Sequence, residues 1–276
     1  MPQISVIIPT FNRRHMLERA LQSVLAQTFT DWELIVVDDG STDGTADLPA
    51  FNSGRPDIRY LRFHENRGVS FARNRGVERA AGSLIAFLDS DDEWLPRKLE
   101  KQVRWLDDHP GFRIVQTREH WVRNGRRVNP PATHEKIGGD IFAQSLKRCM
   151  ITPSSVLLAR SLFAASGGFN ETFTACEDYD LWLRITCRNP VGLLDEYLLT
   201  RHGGHADQLS STVPVLDGFR IRSMMDRLLS GALSEDQAAR TRAMIASKAL
   251  VVAHGCKKRG NEDDYERYQR IADCHE

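Results

Sequence analysis

Acidic residues are concentrated in the segment "FLDSDDEWLP", residues 87–96, directly after the apolar run "SLIAF". Asp89, Asp91, Asp92 and Glu93 fall within five consecutive positions, and unpaired carboxylates this close together repel one another. A strand that ends in Asp-x-Asp places two carboxylates on one side of a cleft, because alternate residues point the same way. Mg²⁺ and Mn²⁺ prefer such oxygen ligands and keep open positions for phosphate oxygens. The segment therefore predicts a divalent metal bound together with a diphosphate.

Two other interpretations of this acidic segment need no diphosphate. The carboxylates could form the first turn of a helix that starts near Pro96, where the helix dipole favours negative charge. An EF-hand loop would use Asp89, Asp91 and Glu100 at its positions 1, 3 and 12. Its position 6 needs a glycine and is Trp94, and Pro96 interrupts the loop, so this interpretation is excluded.

A second carboxylate pair, Glu177 and Asp178, lies in "CEDYDLWLRITCR", residues 176–188, whose apolar spacing predicts a helix. A carboxylate within hydrogen-bond reach of a hydroxyl acts as a general base. Acidic residues in a first turn also stabilise a helix electrostatically. The residues alone leave both roles open.

The elements that would hold these carboxylates alternate along the first 110 residues. Apolar, β-branched runs predict strands and amphipathic spacing predicts helices. The strands are expected over 4–9, 32–39, 58–63 and 83–89, and the helices over 14–27, 70–82 and from Pro96 onward. This order is typical of a doubly wound, mostly parallel α/β sheet, which binds ligands at the carboxyl ends of its strands. Three of those ends carry polar segments: "PTFN", "DDGSTDGT" and "DSDDE".

The second half of the chain is less regular. Strands are expected over 154–159 and 191–202, and the Gly/Pro-rich stretch 124–140 is typical of a flexible loop. From residue 216 onward the pattern is helical, with apolar side chains at helical spacing. We expect these helices to pack on the rest of the chain, or to pair with another copy or a partner.

Composition excludes several classes of protein. Lys plus Arg and Asp plus Glu number 37 each in 276 residues, so no basic excess points to nucleic acid. The five cysteines form no C-x-x-C pair and are expected to be free thiols in a reducing compartment. No signal peptide and no run of about 18 apolar residues is present. The expected location is the cytoplasm, which is compatible with attachment to the inner face of the membrane.

Four blocks together resemble family 2 glycosyltransferases of the GT-A fold. They are "SVIIPTFNRRHMLERALQSVLAQTFTDWELIVVDDGSTDGT", "ENRGVSFARNRGVERAAGSLIAFLDSDDEWLP", "GGFNETFTACEDYDLWLRI" and "TRHGGHADQLS", in this order between residues 3 and 211. The resemblance implies a GT-A catalytic domain over 1–215, with a nucleotide-binding half over 1–110 and an acceptor half over 111–215. Residues 216–276 would be a helical extension.

The resemblance also implies roles for individual residues. Asp91 would be the direct metal ligand, with Asp89 beside the ribose and the metal and Asp92 supporting the site. Asp178, or its neighbour Glu177, would be the general base. Either His205 or His202 would contact the diphosphate from the late loop. The nucleotide-binding residues would be Pro9, Thr10, Phe11, Asp39, Asn66, Arg73, Asp89, Arg201 and His205.

The implied reaction is an inverting transfer of a sugar from a nucleotide diphosphate, typically UDP, to a hydroxyl of a carbohydrate or glycolipid acceptor. Mn²⁺ or Mg²⁺ would stabilise the leaving diphosphate as a Lewis acid. Cell-surface polysaccharide or glycoconjugate synthesis is the expected setting. A catalytically silent sugar-nucleotide binding module would lack a working base, which "EDYD" argues against. A nucleotidyltransferase would carry a Gly-rich phosphate loop after the first strand, and "PTFNRRH" has no glycine.

Overall fold

One sheet organises the protein, and its central strands lie where short, mostly apolar runs occur in the sequence. The computed structural model describes residues 1–52, 54–204 and 215–275. The strands in these ranges are β1 (Ile4–Thr10), β2 (Trp32–Asp38), β3 (Ile58–Arg62), β4 (Leu84–Phe87), β5 (Glu93–Trp94), β6 (Ile114–Arg123), β7 (Arg126–Val128), β8 (Val156–Ala159) and β9 (Gly192–Gly203).

Helices cover this sheet and extend it at the carboxyl end of the chain. In the described ranges they are α1 (Arg14–Leu25), α2 (Val69–Glu78), α3 (Lys98–Asp108), α4 (Phe142–Lys147), α5 (Arg160–Ala165), α6 (Glu177–Thr186), α7 (Leu216–Leu229), α8 (Glu235–Lys258) and α9 (Glu262–Asp273). The last two begin at capping residues: the hydroxyl of Ser234 accepts from the amide of Gln237, and the side chain of Asn261 accepts from the amide of Asp264.

The strand order is β3-β2-β1-β4-β8-β6-β9-β5, with β7 paired to β6. Strands β1 to β4 are parallel to one another, and β6 is parallel to β9. Each antiparallel pairing joins only two or three residue pairs. The mixed α/β fold with a mostly parallel sheet, expected from the sequence, is confirmed.

Apolar clusters cover both faces of the sheet, which explains why its central strands are apolar without alternation. Ile7 and Ile35 belong to one cluster, whereas Val6 and Leu34 belong to the other. All four side chains are fully buried. Burying one such side chain contributes about 1.5–3 kcal/mol. The two clusters therefore hold the carboxyl ends of β1, β2 and β4 at one rigid edge.

Several local predictions differ from the structure. The described part of the connection between β2 and β3, for which no element was predicted, contains two short 3₁₀ turns, Thr45–Asp47 and Pro49–Asn52. The stretch 124–140, expected to be a loop, contains β7 and a 3₁₀ turn, and β6 and α4 were not predicted. Strand β6 was missed because residues 116–120 are all polar, so it lacks the continuous apolar run of the central strands.

The carboxyl-terminal helices pack on α4 and α6. Tyr179 and Leu183 of α6 share a buried cluster with Ile221, Met224 and Ile245 of α7 and α8. The side chain of Leu229, at the end of α7, is 85% exposed. Within the described ranges no helix is long and apolar enough to cross a membrane. The domain boundary expected at residue 215 stays a prediction.

Candidate active site

A cavity of about 400 Å³ lies beside the carboxyl ends of β1 and β4. Its other walls come from the end of β9, the end of β6, the segment after α4 and the first turn of α6. Nine of the residues singled out in the sequence line it: Pro9, Arg73, Asp89, Asp91, Asp92, Glu177, Asp178, Arg201 and His202. Thr10, Phe11, Asp39 and Asn66 do not line it, and His205 falls outside the described residues. The structure thus brings the two predicted carboxylate groups into one cavity.

The carboxylates after β4 differ in their surroundings. The amide of Asp89 donates to the hydroxyl of Ser154 at 3.0 Å. Asp91 forms a 3.4 Å ion pair with Arg13. Asp92 is buried, and one of its oxygens accepts from the amide of His202 at 3.1 Å. Burial, reinforced by the charge of Asp91, raises the pKa of the Asp92 carboxyl well above its usual range. Asp92 therefore supports the loop from inside, while Asp89 and Asp91 face the cavity.

This donor set fits a hard divalent cation that is shared with a ligand. In the part of the chain that the structure describes, no three His, Cys, Asp or Glu side chains form a group that could hold a metal alone. Two cavity-facing carboxylates supply only part of an octahedral shell. Oxygens of a bound diphosphate would have to complete it, as the sequence of this segment predicts.

Arg73 of α2 connects the two halves of the cavity. Its Nη2 donates to Asp89 at 2.7 Å and its Nη1 donates to Glu177 at 2.8 Å. The Arg73 side chain is only 4% exposed. Burial opposes ionisation of this guanidinium, but the two carboxylates outweigh it and raise the pKa of Arg73 above its ordinary value. The acidic end of β4 and the first turn of α6 are thus held together by one buried cation.

The two predicted base candidates have different partners. Glu177 is buried against Arg73, and burial together with the neighbouring Asp178 raises the pKa of the Glu177 carboxyl. Asp178 is partly exposed in the cavity. The thiol of Cys149 lies 3.3 Å from Asp178 Oδ2, within donating distance. This arrangement leaves Asp178 the better placed of the two to accept a proton from a molecule in the cavity.

The backbone before α6 is strained. Cys176 has φ 59° and ψ 24°, a left-handed conformation. For a residue with a side chain this conformation costs roughly 1–2 kcal/mol. Such strain occurs most often where a structure must aim functional groups. Here it directs the first turn of α6 into the cavity.

A second group of predicted residues lies outside the cavity, at the ends of β1 and β2. Asp39 Oδ2 accepts from the amides of Arg67 and Gly68 at 2.9 and 2.7 Å, and Asn66 accepts from the same Gly68 amide at 3.1 Å. Gly40 has φ 91°, and a Cβ there would come within 3.0 Å of the carbonyl carbon of Glu65. The turn after Asp39 therefore needs glycine to let residues 65–68 approach.

Two buried oxygens in this second group have no hydrogen-bond partner among the described residues: Asp39 Oδ1 and Thr10 Oγ1. Burial raises the pKa of the Asp39 carboxyl, and the two amides that it binds oppose this rise. A buried oxygen that accepts no hydrogen bond lowers the stability of the fold, unless a bound ligand donates a hydrogen bond to it. Phe11, which is 40% exposed, lies next to Thr10 in the chain. These residues could hold the flat ring of a base whose N–H donates to Asp39.

The end of β9, where the sequence predicted a loop, contributes Arg201 and His202 to the cavity. Arg201 lies 3.7 Å from Glu119, and the guanidinium lies over the ring of Trp121 at 5.4 Å. Burial opposes ionisation of Arg201, but Glu119 and Asp92 outweigh it and raise the pKa of this residue. His202 lies 3.5 Å from Glu93, and burial lowers the pKa of the His202 imidazole. The choice between His202 and His205 as a diphosphate contact stays open, since residue 205 is not described.

The residues that line the cavity or hold its walls and were not predicted from the sequence include Glu119, Trp121, Arg148, Cys149 and Arg220. Glu119 and Trp121 belong to β6, whose polar residues 116–120 have neither an apolar run nor a period-two pattern from which the strand could be predicted. Arg148 and Arg220 carry no local signal, because only packing of α4 and α7 against α6 brings them to the cavity.

The sequence is similar both to a family model and to individual proteins. The family model described as Glycosyl transferase family 2 matches residues 5–163. An uncharacterised glycosyltransferase of Rickettsia conorii is 34% identical over 197 residues, which are 71% of this chain and 32% of that protein. The Escherichia coli UDP-Glc:alpha-D-GlcNAc-diphosphoundecaprenol beta-1,3-glucosyltransferase WfgD is 33% identical over 193 residues, 70% of this chain and 73% of that protein. The chain spans about a third of the length of the Rickettsia relative.

Solved structures share the fold at lower identity. The crystal structure of Staphylococcus aureus TarS 1-349 in complex with UDP-GlcNAc has a TM-score of 0.67 and 17% identity, over 98% of this chain and 91% of that one. The mannosyltransferase PcManGT from Pyrobaculum calidifontis, in complex with GDP-Man and Mn²⁺, has a TM-score of 0.60 and 18% identity, over 99% of this chain and 86% of that one. These likenesses confirm the GT-A type of fold that the sequence blocks implied.

Proposed function

Because the chain belongs to glycosyl transferase family 2, we propose that it transfers a sugar from a nucleotide diphosphate sugar to an acceptor hydroxyl, in the synthesis of a cell-surface polysaccharide. The observation that carries the proposal is the link through Arg73 between Asp89 at the strand end and Glu177 in the turn that holds the base candidate. A diphosphate site and a base in one cavity are what sugar transfer to a hydroxyl needs. The carbohydrate or glycolipid nature of the acceptor belongs to the same proposal.

UDP is the proposed nucleotide of the donor. The unpaired Asp39 Oδ1 would accept from the N–H of uracil, and the Thr10 hydroxyl lies at the neighbouring strand end. The E. coli relative is named for a UDP-Glc donor and the TarS structure contains UDP-GlcNAc, which supports the same choice. PcManGT contains GDP-Man, so a guanine nucleotide must be tested beside UDP.

Mn²⁺ or Mg²⁺ is the proposed metal, held by Asp91 and Asp89. When bound, the ion would stabilise negative charge on the leaving diphosphate as a Lewis acid. Arg201 would donate to the same oxygens from the opposite wall, because preorganised cations stabilise charge that develops during a reaction. Mn²⁺ in the PcManGT structure supports a divalent metal without identifying which one this chain takes.

The proposed chemistry is a single displacement with inversion at the anomeric carbon. The acceptor oxygen forms its bond to that carbon while the bond from the carbon to the diphosphate oxygen breaks. Asp178 takes the proton of the acceptor hydroxyl, and the thiol of Cys149 holds the carboxylate in position. Glu177 stays paired with Arg73 and positions the turn.

The test is a panel of UDP- and GDP-sugars, with and without Mn²⁺, followed by melting temperature and by product analysis. A true donor should raise the melting temperature in the presence of metal, since a ligand at about a hundred times its dissociation constant adds about 2.7 kcal/mol of stability. Release of the nucleoside diphosphate would support transfer. Release of pyrophosphate would indicate a nucleotidyltransferase, and binding without any product would indicate a silent binding module.

A further inference from the structure

A second cavity, the arginine cavity, has a volume of about 600 Å³ and lies beside the carboxyl ends of α5, α6 and α7. Among the described residues that line it, none is acidic and four are arginines: Arg113, Arg184, Arg188 and Arg227. The chain as a whole has no such imbalance, since its basic and acidic residues number 37 each. The volume falls within the range of small-molecule sites, about 300–1,000 Å³. The cavity is therefore large enough for a ligand, and its charge favours an anion.

The arginine cavity is separate from the candidate active site. The two cavities share no lining residue. Glu177 and Asp178 in the first turn of α6 line the active site, whereas Arg184, near the end of that helix, lines the arginine cavity. The 10 residues of α6 span about 15 Å. Helix α7 is divided in the same way, because Arg220 lines the first cavity and Arg227, in the last turn, lines the second.

One of the four arginines has a structural role. The guanidinium of Arg184 pairs with Asp180 on the same helix at 2.7 Å. It also donates to the carbonyl oxygens of Ser166 and Gly168, which follow α5. Basic side chains commonly satisfy the carbonyl groups at a helix end in this way. The charge of Arg184 is thus balanced, and its position is fixed.

The other three arginines have no carboxylate within ion-pair distance in the described part of the chain. Nη2 of Arg113 donates to the hydroxyl of Ser161 at 2.9 Å. Nε of Arg227 donates to the hydroxyl of Ser230 at 3.0 Å. Both partners are neutral, and the side chain of Arg188 is exposed. Contacts within the described chain therefore leave three positive charges around the cavity without a balancing carboxylate.

The helix ends beside the cavity balance only part of this charge. The carboxyl end of a helix carries roughly half a negative charge at most, and the effect falls off within the last turn. The ends of α5, α6 and α7 are together equivalent to about one and a half negative charges. Three arginines exceed that value. A concave site with an excess of one sign of charge concentrates ions of the opposite sign.

We propose that the arginine cavity binds a phosphate-bearing anion, either a soluble phosphate compound or the headgroup of a lipid. Guanidinium groups match phosphate oxygens in geometry and form charge-assisted hydrogen bonds with them. The bonds from Arg184 to Asp180 and to the end of α5 hold one wall of the cavity in place before the anion binds. The proposal does not depend on the proposed function, because no residue of the active site takes part in it.

The first test is isothermal titration calorimetry of the full chain with inorganic diphosphate. EDTA is present, so that no divalent metal can carry the probe into the active site. Malonate, a dicarboxylate, is the comparison ligand. We expect diphosphate to bind at least about tenfold more tightly than malonate, with an affinity that falls as salt is added. Equal binding of the two ligands would overturn the phosphate assignment.

The second test distinguishes a lipid headgroup from a soluble compound. Sedimentation with phosphatidylcholine vesicles that contain phosphatidic acid is compared with sedimentation with phosphatidylcholine vesicles alone. Binding to the phosphatidic acid vesicles without binding of soluble diphosphate would assign the cavity to a lipid headgroup. Binding of diphosphate without binding to either kind of vesicle would assign it to a soluble compound. Binding in neither test would overturn the proposal.

Variants assign the binding to this cavity. Arg188→Gln and Arg227→Gln should each weaken binding of the phosphate probe by at least about tenfold, because each removes a charge-assisted hydrogen bond. Arg242→Gln removes the same charge from an exposed position on α8 that lines neither cavity, so it should change nothing. Since Arg188 is exposed, its variant tests the proposal even where Arg227→Gln fails to fold.

Two results with these variants would overturn the proposal. One is equal weakening by Arg188→Gln and Arg242→Gln, which would mean that the probe is attracted by net charge alone. The other is loss of binding in Arg201→Gln with no change in Arg188→Gln, which would place the phosphate in the active site. Neither result would affect the proposed function, which is tested with nucleotide and metal.

Discussion

Replacement of Arg73 by methionine tests the buried connection on which the site is built. Methionine keeps a long apolar stem but removes the guanidinium that binds both Asp89 and Glu177. The Glu177 side chain is only 10% exposed, so the change leaves a buried carboxylate without its partner. We expect Arg73→Met to lower the free energy of unfolding strongly, even in the absence of nucleotide and metal.

The magnitude follows from burial. Removing one partner of a buried ion pair typically costs about 3–5 kcal/mol, because the charge left behind stays desolvated. In a domain of this size that range corresponds to a melting temperature lower by about 6–20 °C. Most of the loss should come from Glu177, because Asp89 is 26% exposed and water reaches it more easily.

The pH dependence of this loss has a definite sign. Burial and Asp178 already raise the pKa of Glu177 above its ordinary value of 4.5, and Arg73 opposes the rise. Without Arg73 the folded-state pKa rises further, so the variant is destabilised as the pH increases through that raised value. The difference in stability from the wild type should therefore be smaller at pH 5 than at pH 8.

The assay is urea unfolding at both pH values for four proteins. Arg73→Met is compared with wild type, with the double variant Arg73→Met/Glu177→Gln and with Arg75→Met. The double variant removes the stranded charge and should recover most of the loss. Arg75 lies on the same helix, but its side chain is 35% exposed and pairs with the surface residue Glu171, so its loss should stay below about 1 kcal/mol.

A loss for Arg73→Met no larger than that for Arg75→Met would refute the argument. So would a difference from wild type that grows toward pH 5, or a double variant less stable than the single one. Any of these results would mean that the pair between Arg73 and Glu177 does not hold the two sides of the cavity together.

Three further predictions concern the carboxylates. Asp91→Asn should abolish Mn²⁺-dependent UDP binding in calorimetry while the melting temperature of the free protein changes little; unchanged affinity would remove Asp91 from the metal site. Asp178→Asn should slow transfer by about 10²–10⁴-fold with UDP affinity unchanged, and Glu177→Gln should be milder; a fully active Asp178→Asn enzyme would end its assignment as base. Burial opposes ionisation of Asp217, but the two cations bound to it lower its pKa overall, so its contribution is present above its ordinary pKa and lost in acid. Asp217→Asn should therefore lower the melting temperature at pH 7, with a difference that shrinks toward pH 3; a constant difference would contradict this.

The central strands could be predicted because each of them is one short, mostly apolar segment of the sequence. "ISVIIP" and "WELIVVD" are mostly apolar, and both faces of β1 and β2 are buried in the structure. Asp89 and Asp91 follow β4 directly, so their place at the edge of the sheet followed from the fold class. The base candidates were found through a resemblance to a family, since two acidic residues opening a helix have an ordinary electrostatic explanation.

The rest of the site depends on contacts between distant segments. Arg73 and Glu177 are 104 positions apart, and nothing near either residue indicates the other. Strand β6 supplies Glu119 and Trp121 but pairs partly with β9 across register shifts, so its alternation is irregular. Arg220 reaches the cavity because α7 packs against α6, a contact made by apolar side chains such as Met224 that carry no chemical signature.

The different roles of Glu177 and Asp178 follow from where α6 begins. Consecutive residues of a helix point about 100° apart, so two adjacent carboxylates leave the helix in different directions. The bond from Arg73 fixes the rotation of α6 by holding Glu177 inward, and this rotation turns Asp178 into the cavity. Because the same guanidinium binds Asp89, the strand end that would hold the donor and the base that would meet the acceptor are positioned by one side chain. A change at Arg73 should therefore impair both halves of the reaction together, whereas a change at Asp178 should impair only the acceptor half.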